Sequence, residues 1–172
     1  MISSNCGFTG YRPARFTYKY NEYHPDCLLL KQEISGKIIQ KCCEGYYNFY
    51  TGMAMGIDIW AAEAVLAAKK DFYNINLIAV VPFKNHIDSI GDSYTRRYND
   101  ILAECSDIVY VNDVFSPNAY LMRNRYIVDN CAAIIAVYDP DRGIVRSGTA
   151  QTVNYAKKLE RDITVIVPKS LY

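Results

Sequence analysis

The chain has 172 residues, 51% of them hydrophobic and 22% charged, which is enough apolar material for one core and excludes a disordered or collagen-like chain. Nineteen basic and eighteen acidic side chains leave a net charge of +1, so bulk electrostatics hold neither nucleic acid nor an anionic membrane, and such a partner would need a local patch. The longest apolar runs are of strand length and no basic segment followed by an apolar stretch opens the chain, so a soluble, cytoplasmic protein without membrane partners is expected.

Short apolar runs alternate with helix-period stretches, the pattern of a parallel α/β architecture. A first strand is predicted at Ile2 to Phe8, followed by the turn Thr9-Gly10-Tyr11-Arg12-Pro13. The first long helix covers about Asp26 to Cys43. Its apolar side is Leu30, Ile34, Ile38 and Cys42, with Lys31, Glu33, Lys37 and Lys41 left to water. Tyr46 to Tyr50 reads as a second strand. The next helix carries Ile57, Trp60, Ala61, Ala64, Val65 and Ala68 on one stripe, and its alanines permit close packing on a sheet. A third strand at Ile75 to Val81 leads through a loop to a helix bearing Tyr94, Tyr98, Ile101, Leu102 and Cys105. Asp107 to Val111 is a fourth strand, Asn118 to Asn130 a helix, and Ala132 to Tyr138 a fifth strand. Ser147 to Glu160 is the last helix and Ile163 to Val167 the last strand. No linker or repeat divides the series, so residues 1–172 read as a single domain.

In a parallel open sheet, ligands bind beyond the carboxyl ends of the strands. At the first such junction Thr9, Gly10 and Arg12 offer a hydroxyl, a small residue and a permanent cation suited to a paired contact with phosphate; a tight turn with a solvated arginine is the plain alternative. At the second, Thr51, Gly52 and Gly56 precede a helix whose first turn holds Asp58. Helix-start amides suit an anion there, and Asp58 either complements the helix dipole or accepts hydrogen bonds from ribose hydroxyls. The string lacks the lysine of a P-loop and the full G-x-G-x-x-G pattern. At the third, Ser147, Gly148 and Thr149 cap a helix and present amides to an oxyanion, although ordinary capping also explains Ser147.

On the Asn118 to Asn130 helix, Arg125 and Asp129 have the spacing of an intrahelical ion pair, leaving Arg123 and Asn124 able to reach the cleft. Arg96 and Arg97 read as a solvated helix face. Six scattered cysteines without C-x-x-C, and two isolated histidines, His24 and His86, argue for reduced thiols and against a metal site. No G-x-S-x-G elbow or Cys-His nucleophile motif appears. Sixteen tyrosines are most simply core filling, with any surface excess free to stack on a base or a partner.

Taken together, Thr9-Gly10-Tyr11-Arg12-Pro13, Gly56-Ile57-Asp58-Ile59-Trp60-Ala61-Ala62-Glu63, Arg123-Asn124-Arg125-Tyr126-Ile127-Val128-Asp129 and Gly148-Thr149-Ala150 resemble the YpsA-like proteins. These belong to the SLOG superfamily, which includes the LOG phosphoribohydrolases and the DNA-processing protein DprA. The resemblance spans nearly the whole chain and implies a Rossmann-like three-layer sandwich with a mainly parallel sheet. It also implies a nucleotide or nucleotide-derived ligand between the loop after the second strand and the Gly-Thr helix start, with no cofactor required and with self-association permitted. LOG enzymes carry Pro-Gly-Gly-x-Gly-Thr-x-x-Glu, whereas here Val145-Arg146 precede and Thr152 stands at the glutamate position. The leading expectation is therefore a nucleotide-binding or sensing domain. The alternative is a hydrolase that splits a nucleoside monophosphate into base and ribose 5-phosphate, with Asp58 or Glu63 activating water or stabilising an oxocarbenium-like transition state. A contribution to DNA handling ranks third on account of the neutral charge.

Overall fold

The computed structural model describes residues 2–142 and 147–172. Six strands form one all-parallel sheet: β1 (Asn5–Gly10), β2 (Asn48–Thr51), β3 (Asn76–Val81), β4 (Asp107–Tyr110), β5 (Ala133–Val137) and β6 (Asp162–Ile166), in the spatial order β4-β3-β2-β1-β5-β6. Five helices connect them: α1 (Pro25–Cys43), α2 (Ile57–Ala68), α3 (Asp92–Glu104), α4 (Ala119–Asn130) and α5 (Gly148–Lys158). The chain winds outward from β1 to β4, then returns to the other side of β1. Right-handed crossovers in opposite directions put their helices on opposite faces. Accordingly, α1, α2 and α3 pack together over one face, and α4 and α5 over the other. This is the expected Rossmann-like three-layer sandwich.

Burial along each strand follows from its place. Every residue of β5 is buried, as are five of the six in β3, because helices cover both faces, whereas the edge strands β4 and β6 are half open. α2 lies between α1 and α3, so almost its whole circumference is buried, including Trp60. At the amino-terminal rim of the sheet, Asn5, Asn48 and Asn76 stand in register on β1, β2 and β3. Asn76 donates to Asn48 at 3.0 Å and Asn48 to Asn5 at 2.9 Å, while Asn5 donates to the Asn130 carbonyl at 2.8 Å. This amide ladder fixes register at the edge opposite the cleft.

Several expectations are corrected. Ile2–Ser4 is a short 3₁₀ turn, so β1 starts at Asn5 and runs on through Thr9 and Gly10, which end a strand rather than open a turn. β2 is Asn48–Thr51 and lies later than Tyr46 to Tyr50. Lys41 is not solvated: it is 4% exposed, with its ammonium 2.6 Å from Asp162 and 2.8 Å from Glu44. Arg97 is likewise no solvated face, since it bridges Glu22 and Glu63. Arg125 and Asp129 form no ion pair among the described residues. Asp129 instead accepts from the Tyr155 hydroxyl at 2.8 Å, and the Arg125 guanidinium lies over the Tyr155 ring. In the third predicted loop, Gly143, Ile144, Val145 and Arg146 lie outside the described residues.

Candidate functional site

The sheet changes winding direction between β1 and β5, and at such a switch point the flanking loops part to leave a crevice. A cleft of about 330 Å³ opens there. Thr9 and Gly10 at the end of β1 form its floor, Asp58 and Met55 one side, and Ser147, Gly148 and Thr149 at the start of α5 another. The Ser147 hydroxyl accepts from the Ala150 amide at 3.0 Å, the capping geometry expected from sequence. The amides of Gly148 and Thr149 precede the first intrahelical bond and have no acceptor among the described residues. Gly148 has an ordinary backbone conformation, and a Cβ added to it would meet no described atom within 4 Å. Internal packing therefore does not require glycine at this position.

The wall after β2 is held by a buried ion pair. Arg123, 3% exposed on α4, donates to the Gly52 carbonyl and lies 3.1 Å from Asp58 Oδ2; the same oxygen accepts from the Ala54 amide at 3.2 Å. Thr51 Oγ1 donates to the Asp58 carbonyl at 2.9 Å and accepts from Met53 N at 3.3 Å. Gly52 is glycine because a Cβ there would stand 2.5 Å from Arg123 Cζ and 2.7 Å from Asp58 Oδ2. Gly56 has φ +87° and presses against Pro13, where an added Cβ would sit 2.8 Å from Pro13 Cδ. These two glycines let the loop fold back tightly enough to close around the guanidinium.

Among the described residues, three guanidiniums face the cleft, those of Arg12, Arg15 and Arg123, against the single carboxylate of Asp58. Arg12 and Arg123 each lie 6.0 Å from the centroid of the Tyr120 ring, and Arg15 is 5.7 Å from that of Tyr11. Burial lowers the Arg123 pKa, and the neighbouring Arg12 charge pushes the same way, while Asp58 opposes both. Arg123 Nε has no hydrogen-bond partner among the described residues. A chain of nearly balanced charge thus concentrates positive potential at one cleft.

The same field reaches His86, which is 1% exposed among aromatic rings with Nδ1 3.2 Å from the Tyr98 hydroxyl. Burial, reinforced by Arg123 and Arg12, depresses its pKa from the usual 6.5 to about 3. The native state therefore keeps His86 neutral where the unfolded chain would take up a proton. Stability should fall as pH drops from 6.5 towards 3, by about 1.4 kcal/mol per pH unit for this group. Urea unfolding at pH 6.5, 5.5 and 4.5 checks this. His86→Asn should flatten the slope, and an unchanged slope would assign it to other groups.

Of the residues singled out from sequence, Thr9, Gly10, Arg12 and Asp58 line the cleft, as do Arg123, Asn124, Ser147, Gly148 and Thr149. Thr51, Gly52 and Gly56 stand behind its wall and shape it. Glu63 is elsewhere: it lines a separate depression beside Glu22 and Arg97, and its carboxylate is paired with Arg97. There, burial works to raise the Glu22 pKa, but hydrogen bonds from Arg97, Lys31 and Tyr94 outweigh it and bring it to about 2. Sequence reasoning missed Arg15, Met55 and Tyr120. Tyr120, Arg123 and Asn124 have i, i+3, i+4 spacing, which puts them on one side of α4 and could have revealed the group. No cysteine lines the cleft. Burial pushes the Cys6 thiol up to about 12 and the Cys42 and Cys105 thiols to about 11, so these are not poised nucleophiles.

Among the described residues, no group of three or more acidic, histidine or cysteine side chains is placed to hold a metal, and no helix is long and apolar enough to cross a membrane. Comparison with solved structures shows the same fold in DprA of Streptococcus pneumoniae, with a TM-score of 0.60 and 19% identity, covering 95% of this chain and 50% of that one. The chain thus spans about half the length of that protein. TM1055 is similar at TM-score 0.52 and 16% identity, with 93% and 72% covered. In sequence, the chain is 32% identical over 148 residues to the SPbeta prophage-derived protein YoqJ of Bacillus subtilis, covering 78% of this chain and 84% of YoqJ. It is 26% identical over 136 residues to the UPF0398 protein SERP1017 of Staphylococcus epidermidis, covering 78% and 72%. Residues 6–171 match the YpsA family model, described as the YspA SLOG family, and the chain belongs to that family.

Proposed function

We propose that the cleft binds a phosphorylated nucleoside and that the protein acts as a nucleotide-binding or sensing domain. The observation that carries this reading is the meeting of two kinds of anion donor in one crevice. Among the described residues, the amides of Gly148 and Thr149 at the start of α5 have no acceptor, and three arginines face the same space with Asp58 alone to offset them. Phosphate fits at the helix start, where glycine leaves the backbone approachable. Asp58 and Asn124 are then the polar groups within the cleft that suit ribose hydroxyls.

Binding without cleavage is the form of this function that the side chains favour. Asp58 Oδ2 is committed to Arg123 and the Ala54 amide, and Glu63 lies outside the cleft. Thr152 occupies the position of the LOG glutamate, and its hydroxyl donates to the Gly148 carbonyl at 2.7 Å. Asp58, the one carboxylate among the described residues lining the cleft, is thus held in place by a cation and an amide, an environment that weakens it as a base for activating water. Incubation with a panel of nucleoside monophosphates, followed by chromatography, should show bound nucleotide and no free base above the uncatalysed background. Rapid accumulation of free base with ribose 5-phosphate would make this an N-glycosidic hydrolase with Asp58 as the first residue to test.

A further inference from the structure

Beside the cleft lies a second lobe of about 260 Å³, which shares Arg12, Met55 and Tyr120 with the first as a common wall. The two lobes differ in chemistry. The first contains the helix-start amides and Asp58, whereas the second is walled by Pro13, Met55, Ile90, Tyr20 and Tyr120, with His86 and Ser89 at its far side. Among the described residues, no carboxylate lines it. Burial lowers the His86 pKa to about 3 and keeps it neutral above pH 4, so among the described residues the Arg12 guanidinium is the one charge on the lobe wall at neutral pH.

We infer that this second lobe is the base-binding half of the site: a nucleoside phosphate lies with its phosphate at Gly148 and its nucleobase among Pro13, Met55, Ile90 and Tyr120, edged by Arg12. The inference rests on that reading of the first lobe and adds to it the ligand's orientation and the wall that holds its base. A flat heterocycle matches apolar and aromatic walls by its faces. Its ring nitrogens and carbonyls match the Arg12 guanidinium by its edge, while the Ser89 hydroxyl donates to the His86 carbonyl at 2.6 Å and is spent as a donor. A sugar phosphate without a base would leave the lobe to water and gain nothing from it. Arg12, exposed and resting against Tyr120 at the junction, can meet the ring on one side and the sugar-phosphate on the other. The ligand class is therefore a nucleoside phosphate rather than a bare sugar phosphate or inorganic phosphate.

The test titrates the full chain by calorimetry with two probes, ribose 5-phosphate and AMP, at constant ionic strength. AMP should bind about ten-fold or more tightly, the factor expected when one base stacks or packs on aromatic side chains. Ser89→Trp fills the lobe from an exposed position; it should abolish the AMP advantage and leave ribose 5-phosphate binding as in the wild type. Tyr120→Ala should reduce the advantage and Tyr120→Phe should retain it, with circular dichroism verifying each fold. Equal affinity for both probes, unaltered by filling the lobe, overturns the base assignment while leaving the phosphate site in place. Failure of both probes to bind the wild-type protein overturns the phosphate reading and this inference with it.

Discussion

Replacing Arg123 by methionine should destabilise the protein by about 3–5 kcal/mol, because removing one member of a buried pair strands the other charge away from water. Asp58 would lose its guanidinium partner at 3.1 Å, and the Gly52 carbonyl would lose its donor. The loop from Gly52 to Asp58 is built around that guanidinium, so its position should loosen along with the global loss. Denaturant unfolding measures the effect. Asp58→Asn in the same chain should recover a large part of it, since an amide left without a cation costs far less than a carboxylate. A loss below about 1 kcal/mol would mean that the pair is screened by water like a surface ion pair.

The second large effect is expected at Gly148. A Cβ there meets no other described part of the chain within 4 Å, and valine would stand in the first turn of α5, where a branched residue costs the helix only a few tenths of a kcal/mol. Its side chain would nevertheless project where the phosphate must approach the Gly148 and Thr149 amides. Binding of AMP should weaken by about 1–3 kcal/mol through steric exclusion and lost amide contacts, with the melting temperature little changed. Unchanged affinity in a folded variant would reduce Ser147-Gly148-Thr149 to a helix cap.

Much of the fold can be read along the chain because the alternation of strand and helix periods is local. β3, β5 and the α1 stripe from Leu30 to Ile38 all appear as runs or periods in the sequence. The elements that shifted did so where local pattern and tertiary pairing disagree: Ile2 is apolar but lies in a 3₁₀ turn, and β2 takes its register from Asn48 between Asn5 and Asn76. Three long cations were harder to place for the same reason. Lys41 meets Asp162 across 121 residues, Arg97 meets Glu22 across 75, and Arg123 meets Asp58 across 65. A spacing rule on one helix sees none of these, and it suggested the Arg125–Asp129 pair that does not form. The cleft was more legible, because glycines and hydroxyls at strand ends mark where a parallel sheet can take a ligand. Tyr120 and Arg15 escaped because their roles depend on which way α4 and the chain after β1 face.

The resting place of a bound phosphate tests the site most directly. Crystals of the full chain grown with saturating AMP should show its phosphate within hydrogen-bond distance of the Gly148 and Thr149 amides, with an arginine of the cleft completing its charge. Full occupancy of AMP at any other place on the molecule, with the start of α5 left to water, would contradict the phosphate site.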